Sequence, residues 1–162
     1  MNRLAPIRTA RLVLRPLRED EHPEVARILS CPVTMAEVIG GPLTDEAAAA
    51  WLHDRLADEA RHGYSMWAVE HLGRVVGLCG FFPTSVGDLD LAYVVHHEQQ
   101  GEGIASEAAE AAVRAARAAG HRVLATIRPA NFASLAVAER AGLRRTAETL
   151  EAKPGLLVFR SG

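Results

Sequence analysis

The chain has 162 residues, of which 49% are hydrophobic and 23% are charged, and its formal net charge is -2. This length suits one domain with a sizeable core and is short for two, so we predict a single domain over residues 1–162. The small net charge argues against a nucleic-acid surface, which is normally strongly basic. Because no apolar signal region and no run of about 18 apolar residues occurs, we expect a cytoplasmic protein with neither nucleic-acid nor membrane partners.

The cysteines and histidines form no recognisable metal motif. Cys31 and Cys79 are far apart and make no C-x-x-C pair, so we interpret them as reduced, buried thiols. The seven histidines contain no H-E-x-x-H or similar spacing. The sequence therefore predicts no bound metal.

The first half of the chain predicts an N-terminal strand, two helices and a pair of strands. The strand covers Arg11 to Leu17, and Pro16 restricts it to a sheet edge or a bulge. Asp20 is a candidate N-cap for the first helix, whereas Thr44 can cap a second helix that Gly63 would end. The strand pair follows at about 64–70 and 74–82, and the residues from Cys31 to Thr44 are predicted as loop.

The second half alternates strands and helices. A strand at Leu89 to Val95, a helix from about Ile104 to Ala119 and a strand at 122–127 form a crossover, whose strands should be parallel. A helix from about Phe132 to Ala141 follows, and the last residues predict a hairpin with a turn at Pro154-Gly155. We therefore predict an α/β fold, with a mixed, mostly antiparallel sheet of about six to seven strands and helices on both faces.

The stretch HHEQQGEGIASEAAEAA, from His96 to Ala112, places Gly101 and Gly103 between a strand and a helix. Such a loop directs backbone N–H groups and the positive end of a helix dipole to one point, which suits a phosphate, although a flexible turn is the alternative. The missing G-K-[ST] excludes a P-loop. A dinucleotide fingerprint is disfavoured because three strands and two helices precede this strand–loop–helix unit, and because no acidic residue follows about 20 residues later.

The loop and its position resemble those of the GNAT superfamily of acyl-coenzyme A-dependent N-acetyltransferases. Residues 100–105, QGEGIA, match its pyrophosphate motif [Q/R]-x-x-G-x-[G/A]. Further motifs, in order over nearly the whole chain, resemble the ribosomal-protein N-terminal alanine/serine acetyltransferases (the RimJ/RimL-like branch). These are T-x-R-L-x-L-R at Thr9, Arg11, Leu12, Leu14 and Arg15; Asp90-Leu91-Ala92-Tyr93; GEGIASEA from Gly101; Asn131-Phe132-Ala133-Ser134; and Gly142-Leu143.

The resemblance implies acetyl-CoA as cofactor. It implies that the diphosphate meets the glycine loop and that the pantetheine arm pairs with the preceding strand, where a central parallel pair should splay near Val95. Glu102 departs from the Lys or Arg of many members, so its carboxylate must point to solvent. The implied cofactor-binding residues are Val94, Val95, Gln100, Gly101, Glu102, Gly103, Ile104, Ala105, Ser106, Asn131 and Ser134.

The resemblance also implies direct attack of a neutral primary amine on the thioester. A backbone N–H near Tyr93 to Val95 would bind the oxyanion. Many members use a Tyr as the acid, at the position occupied here by Ala138, whereas the ribosomal branch implicates Ser134, for which helix capping is the alternative role. For the base we favour Asp90, with Tyr93 as a further catalytic candidate. Other candidates are His96 and His97, expected on an exposed turn, and Glu148 or Glu151 on the last hairpin.

The acceptor is less defined than the cofactor. By family analogy, the loop from Cys31 to Thr44, with Glu37, and the Pro154-Gly155 turn should line its pocket, whereas Trp51 and Trp67 are expected in the core. A protein N-terminus, a lysine, an aminoglycoside and a polyamine all remain open, as does a homodimer. The alternative functions are a non-catalytic coenzyme A sensor on the same fold and, less favoured, a nucleotide-binding regulator.

Overall fold

The computed structural model describes residues 2–162, whose backbone forms one eight-stranded sheet and four α-helices. The helices are α1 (His22–Leu29), α2 (Asp45–His62), α3 (Ile104–Ala118) and α4 (Phe132–Arg140). The strands are β1 (Ile7–Arg8), β2 (Leu12–Arg15), β3 (Met66–His71), β4 (Arg74–Pro83), β5 (Leu89–Val95), β6 (Val123–Ile127), β7 (Arg144–Arg145) and β8 (Leu157–Arg160).

The sheet order is β1-β2-β3-β4-β5-β6-β8-β7, and all neighbouring strands are antiparallel except β5 and β6. The predicted mixed sheet is therefore confirmed. It has slightly more strands than the six to seven expected, because β1, a strand of two residues, pairs outside the predicted N-terminal strand. So short a strand carries too little periodicity to be recognised from the sequence.

The predicted N-terminal strand, observed as β2, does not lie at the sheet edge. β2 ends at Arg15 and pairs with β1 on one side and β3 on the other. The expectation that Pro16 confines this strand to an edge or a bulge is wrong, because the proline follows the last paired residue and no ladder bond needs its nitrogen.

The helix boundaries follow local signals more closely. Thr44 caps α2, its hydroxyl accepting a hydrogen bond from the Ala47 N–H at 3.1 Å, and Gly63 ends that helix with a φ of 79°, as predicted. Asp20 is not the cap of α1. It lies within a 3-10 turn, Glu19–Glu21, and α1 begins at His22.

The parallel pair separates almost at once. β5 and β6 pair only at Leu89 with Val123 and at Asp90 with Leu124. Beyond Asp90, β5 stays paired with β4 as far as Val95, whereas β6 stays paired with β8. The strands therefore splay earlier than expected, directly after Asp90 and not near Val95.

Helices cover both faces of the sheet. On one face, buried alanines let α3 pack closely against the strands, and Ala138 of α4 joins this cluster. On the other face, Val25, Ile28 and Leu29 of α1 and Leu52 of α2 form the second cluster. Trp67 is fully buried, as predicted, and its indole N–H donates to Glu59 Oε2 at 3.0 Å. None of the helices in residues 2–162 combines the length and apolar character needed to cross a membrane.

The C-terminal hairpin is shorter than the sequence suggests. β7 contributes two residues, Arg144 and Arg145, which pair with Arg160 and Phe159 of β8. Residues 146–156 form a long connection with an isolated bridge between Leu150 and Lys153. This connection brings Lys153 to Asp90, the last residue of β5 that pairs with β6.

Candidate active site

The N-terminal motif and the start of α3 are joined by one carboxylate. Glu107 accepts hydrogen bonds from the Arg11 guanidinium at 2.7 Å, from the Arg11 backbone N–H at 3.1 Å and from the Thr9 hydroxyl. Burial opposes the ionisation of Glu107, but these hydrogen bonds outweigh it and hold its pKa below the usual value. Thr9 and Arg11 therefore fix the helix end that follows the glycine loop.

The glycine loop adopts a conformation that other residues rarely reach. Gly101 and Gly103 have φ values of 86° and 77°, and Gly103 directly precedes α3. A Cβ at Gly101 would meet nothing within 4 Å, and one at Gly103 would meet only an Arg11 nitrogen, at 3.5 Å. The positive φ values explain the glycines, and the space outside them is open to a ligand.

The first turn of α3 offers unpaired donors. The Glu107 N–H makes the first intrahelical hydrogen bond, to the Gly103 carbonyl at 3.1 Å. The N–H groups of Ile104, Ala105 and Ser106 consequently have no partner within the helix, as at any helix start. Their position beside the open loop fits an anion.

Gln100 has a position that the motif alone did not reveal, whereas Glu102 is exposed, as expected. The Gln100 side chain donates to the Val95 carbonyl at 2.9 Å, so it ties the loop to the end of β5. Glu102 is exposed and lies outside the residues that line the cleft beside the loop.

A cleft of about 430 Å³ extends from the glycine loop along β5. Its walls come from three parts of the chain: the loop after α1, the second half of β5 with the glycine loop, and the first turns of α3 and α4. The residues concerned include Val33, Thr34, Val94, Val95, Gly101, Gly103, Ile104, Ala105, Ser106, Asn131 and Ser134.

A second cleft, of about 370 Å³, lies along Asp90 to Val94 of β5 and reaches the neighbouring strand β6. Its walls are largely apolar and include the half-buried Trp51, which was expected in the core but lines this cleft, with Arg55 stacked 5.4 Å from its ring. Six residues border both clefts, which therefore meet: Glu37, Val38, Tyr93, Val94, Asn131 and Ser134.

Tyr93 and Ser134 meet at this junction. The Tyr93 hydroxyl donates to the Ser134 carbonyl at 2.8 Å and lies 2.8 Å from Ser134 Oγ. Burial raises the pKa of Tyr93 to about 12, against the opposing effect of the Ser134 hydrogen bond. The phenol is therefore protonated at neutral pH and suits a proton donor better than a base.

Asn131 has a structural role at the same place. Its Oδ1 accepts a hydrogen bond from the Ser134 backbone N–H at 3.2 Å, so it caps α4. Seven residues after Asn131, Ala138 of α4 is fully buried in the core. The position at which the sequence resemblance implies a tyrosine in many members thus has no hydroxyl here, and Ser134 and Tyr93 are the hydroxyl groups at the junction.

The candidate bases differ in their surroundings. Asp90 forms an ion pair with Lys153 at 2.7 Å, and Lys153 also donates to Thr126 Oγ1 at 3.2 Å. Glu148 is paired with Arg160 at 2.6 Å, and this hydrogen bond lowers its pKa. Glu37 is exposed and borders both clefts. Lys153 was missed from the sequence, although it is the only lysine among 18 basic residues.

The two histidines before the glycine loop line neither cleft. His96 is buried, and its backbone N–H donates to the Val76 carbonyl at 2.9 Å, so the expected exposed position is wrong. His97 is half-buried, with Nδ1 3.5 Å from Cys31 Sγ. Cys31 is half-exposed and not buried as expected, and hydrogen bonds involving Thr34 lower its pKa to about 7.

Cys79 is buried, as predicted, and burial raises its pKa to about 12. The contrast between the two thiols follows from position. Cys79 lies in the middle of β4, whereas Cys31 begins the loop after α1. A strand centre is enclosed by the helices on both faces, but a loop start remains open to solvent on one side.

Comparison with known proteins agrees with this architecture. The acetyltransferase from Agrobacterium tumefaciens str. C58 is 25% identical, with a TM-score of 0.83 over 96% of this chain and 93% of that chain. RimL, the ribosomal L7/L12 alpha-N-protein acetyltransferase in complex with coenzyme A, is 19% identical, with a TM-score of 0.80 over 94% of each chain. The microcin C7 self-immunity acetyltransferase MccE, in complex with acetyl-CoA and AMP, is 14% identical, with a TM-score of 0.78 over 94% of this chain and 93% of that chain.

These likenesses concern the fold, and the sequence itself identifies the family. A search of curated proteins found no significant match. The family model described as an acetyltransferase (GNAT) domain matches residues 11–144. That range runs from the arginine that holds the start of α3 to the first residue of β7 and includes the glycine loop and both clefts' shared walls. The chain therefore belongs to the GNAT acetyltransferase family.

Proposed function

We propose that this chain is an acetyl-CoA-dependent N-acetyltransferase of the RimJ/RimL-like branch, which transfers an acetyl group to a primary amine by direct attack. One observation carries the proposal: two clefts lie next to each other along β5 and meet at Tyr93, Val94 and Ser134. A two-substrate transfer requires such a junction, because both reactants must lie in contact while water is largely excluded.

The cleft beside the glycine loop fits coenzyme A. The open space at Gly101 and Gly103 and the free N–H groups of residues 104–106 suit its diphosphate. The backbone of Val94 and Val95, which has no partner strand on the side of β6, suits the amide groups of the pantetheine arm. Acetyl-CoA would supply the activated acetyl thioester when bound.

The junction residues would handle the proton that the leaving thiolate needs. Ser134 Oγ borders both clefts and exchanges a hydrogen bond with the Tyr93 hydroxyl. Ser134 acts as the proton donor, and Tyr93, which stays protonated at neutral pH, orients the Ser134 hydroxyl through their hydrogen bond. The backbone N–H groups near Val94 stabilise the developing oxyanion.

The acceptor would enter through the second cleft. Its apolar walls suit the carbon skeleton of an amine substrate, and Asp90 with Lys153 supplies a polar base to the pocket. Because Lys153 already holds the Asp90 carboxylate, we assign Asp90 to orienting the acceptor. Glu37, at the junction, is the carboxylate that takes the amine proton, directly or through a water.

We consider two acceptor classes for this cleft. RimL is described as a ribosomal L7/L12 alpha-N-protein acetyltransferase, and MccE as a microcin C7 self-immunity acetyltransferase in complex with acetyl-CoA and AMP. A protein or peptide N-terminus is our first choice, because the motifs of this chain resemble the ribosomal branch. A small-molecule amine is the second.

Acetyl transfer is tested by release of free coenzyme A thiol, with a panel of peptides beginning in Ser or Ala and of small primary amines. We expect at least one amine to support turnover and the same peptides with blocked N-termini to be inactive. Coenzyme A affinity is measured in parallel by calorimetry. Binding of acetyl-CoA without turnover on any amine would favour the non-catalytic sensor, and no binding would overturn the proposal.

A further inference from the structure

Three metal-ligating side chains lie together beside the cofactor cleft, outside the residues assigned to catalysis. Cys31, His96 and His97 each present one ligand atom, and these atoms all lie within 4.8 Å of one another. The geometry points to a site for a zinc-class divalent cation formed by these three residues. No acid or base of the proposed transfer reaction belongs to it.

The distances agree with tetrahedral coordination. A metal with a sulfur ligand at about 2.3 Å and a nitrogen ligand at about 2.0–2.1 Å separates the two ligand atoms by about 3.5–3.6 Å. Cys31 Sγ and His97 Nδ1 are 3.5 Å apart. The rings of His96 and His97 lie beside each other, with centroids 4.4 Å apart, so small side-chain rotations bring the third ligand into the same sphere.

The ligand types determine which cations fit. One thiolate with two imidazoles favours zinc, cobalt or copper over magnesium or calcium, which prefer oxygen ligands. Three protein ligands leave a fourth position for water. The Thr34 hydroxyl lies 3.3 Å from His97 Nδ1 and therefore borders the proposed site. Cys31 and His97 are half-buried, which gives an ion access from solvent, whereas His96 is buried beneath them.

A simple cysteine–histidine hydrogen bond is the competing explanation. It accounts for Cys31 and His97, while His96 Nδ1 accepts a hydrogen bond from the Glu98 backbone N–H at 3.3 Å. The His96 ring nitrogen left for a cation is therefore Nε2. The ligands come from two segments, at the start of the loop after α1 and at the end of β5. That separation explains why the sequence showed no metal motif. A bound cation would tie these segments together close to Thr34 and Gln99, which line the cofactor cleft.

Cobalt provides a direct test on the full chain. Protein freed of metal with a chelator, and kept reduced with a phosphine, is titrated with Co²⁺. We expect one equivalent to bind with a sulfur-to-cobalt charge-transfer band in the near ultraviolet. Cys31→Ser should abolish that band and weaken zinc affinity, measured by competition with a chromophoric chelator, by more than about 100-fold, the upper range for loss of an outer-shell partner.

Matched variants separate this site from other thiols and imidazoles. Cys79→Ala removes the buried cysteine and His53→Asn removes an exposed histidine of α2; both should keep the band and the affinity. His97→Asn should weaken zinc binding as Cys31→Ser does. Circular dichroism checks that each variant is folded before metal is added.

X-ray absorption on the zinc-loaded wild type tests the ligand set without altering buried His96. We expect one sulfur at about 2.3 Å and two imidazole nitrogens at about 2.0–2.1 Å. The inference is overturned if the wild type shows no charge-transfer band, if Cys31→Ser retains it, or if the spectrum requires only one imidazole. Acetyl transfer is not a readout in any of these measurements, so they stand apart from the proposed activity.

Discussion

The Tyr93 hydroxyl lies 2.8 Å from Ser134 Oγ while donating its proton to the Ser134 carbonyl. Since a phenol has a single proton, the Ser134 hydroxyl is the donor between the two oxygens. The two side chains thus form one hydrogen-bonded unit at the place where the clefts meet.

Ser134→Ala should lower kcat and leave the acetyl-CoA Kd nearly unchanged. Loss of a general acid costs about 10²–10⁴-fold, and an open cleft favours the lower end because water can substitute. The melting temperature should change little, because Asn131 caps α4 through the Ser134 backbone N–H, which alanine retains. Steady-state kinetics, calorimetry and thermal melts check the three quantities. A wild-type kcat would contradict the assignment.

Asn131→Ala is the control for the cap and should cost about 1 kcal/mol of stability.

Tyr93→Phe combined with Ser134→Ala should be strongly non-additive. If the two hydroxyls act as one unit, removing either one disables it, and the double variant should be about as slow as the slower single variant. The measurement is kcat for the four members of the cycle at saturating substrates. Effects that simply multiply would mean that the hydroxyls act independently in spite of their hydrogen bond.

Gly103→Val should raise the acetyl-CoA Kd by about 10–100-fold, which corresponds to the loss of one charge-assisted hydrogen bond. Gly120→Val is the matched control, because Gly120 has a φ of 87° just beyond the other end of α3. Both variants force a branched side chain into a left-handed conformation and should lose similar stability. Only the first should lose cofactor affinity by calorimetry. Equal affinity losses would show that strain, and not the phosphate contact, is responsible.

Asp90→Asn should raise the KM for the amine more than it lowers kcat. The substitution removes the carboxylate that holds Lys153 and leaves that ammonium group free at the base of the acceptor cleft. Lys153→Met should have a similar effect from the other side of the pair. A fall in kcat of about 10² or more for Asp90→Asn, with KM unchanged, would instead identify Asp90 as the general base. Asp20→Asn serves as an exposed control.

Glu107 should make the free energy of unfolding depend on pH in the acidic range. Its pKa in the folded protein lies below the ordinary value of 4.5, so its contribution is fully present above pH 4.5 and is lost as the pH falls through the folded pKa. Glu107→Gln should therefore be less stable than wild type at pH 7 and should show a smaller stability loss on acidification. Urea unfolding of both proteins at pH 7 and at a pH below 4.5 measures the two free energies of unfolding. Glu110→Gln, one turn away and exposed, should behave as wild type.

Local chemistry allowed much of this fold to be predicted. Thr44 and Gly63 carry their own capping and helix-ending signals, and the crossover around α3 required a parallel pair. The pairing partners carried no such signal. The strand before Pro16 was wrongly predicted at an edge because its outer neighbour β1, a strand of two residues, was not recognised. His96 was misjudged because its backbone N–H pairs with the Val76 carbonyl of β4, a contact distant in sequence.

The site residues, too, were predictable only where their signal is contiguous in the sequence. The glycine loop is contiguous in sequence, so its motif predicted its position next to α3. Lys153 reaches Asp90 from a connection 63 residues away, and Cys31 reaches His97 across 66 residues. Such contacts depend on how the sheet and its loops fold together, and a pattern read along the chain does not contain that information.

The early parting of β5 and β6 also bears on how the protein avoids aggregation. Within the described chain, the outer edges of the sheet are β1 and β7, each two residues long and too short to recruit a strand from another molecule. The longer stretches that lack a neighbour across the parting, residues 91–95 and 125–127, face each other inside the fold. The backbone groups available for pairing are thus placed where an extended ligand can complete the sheet, and away from the rim where a foreign chain would extend it.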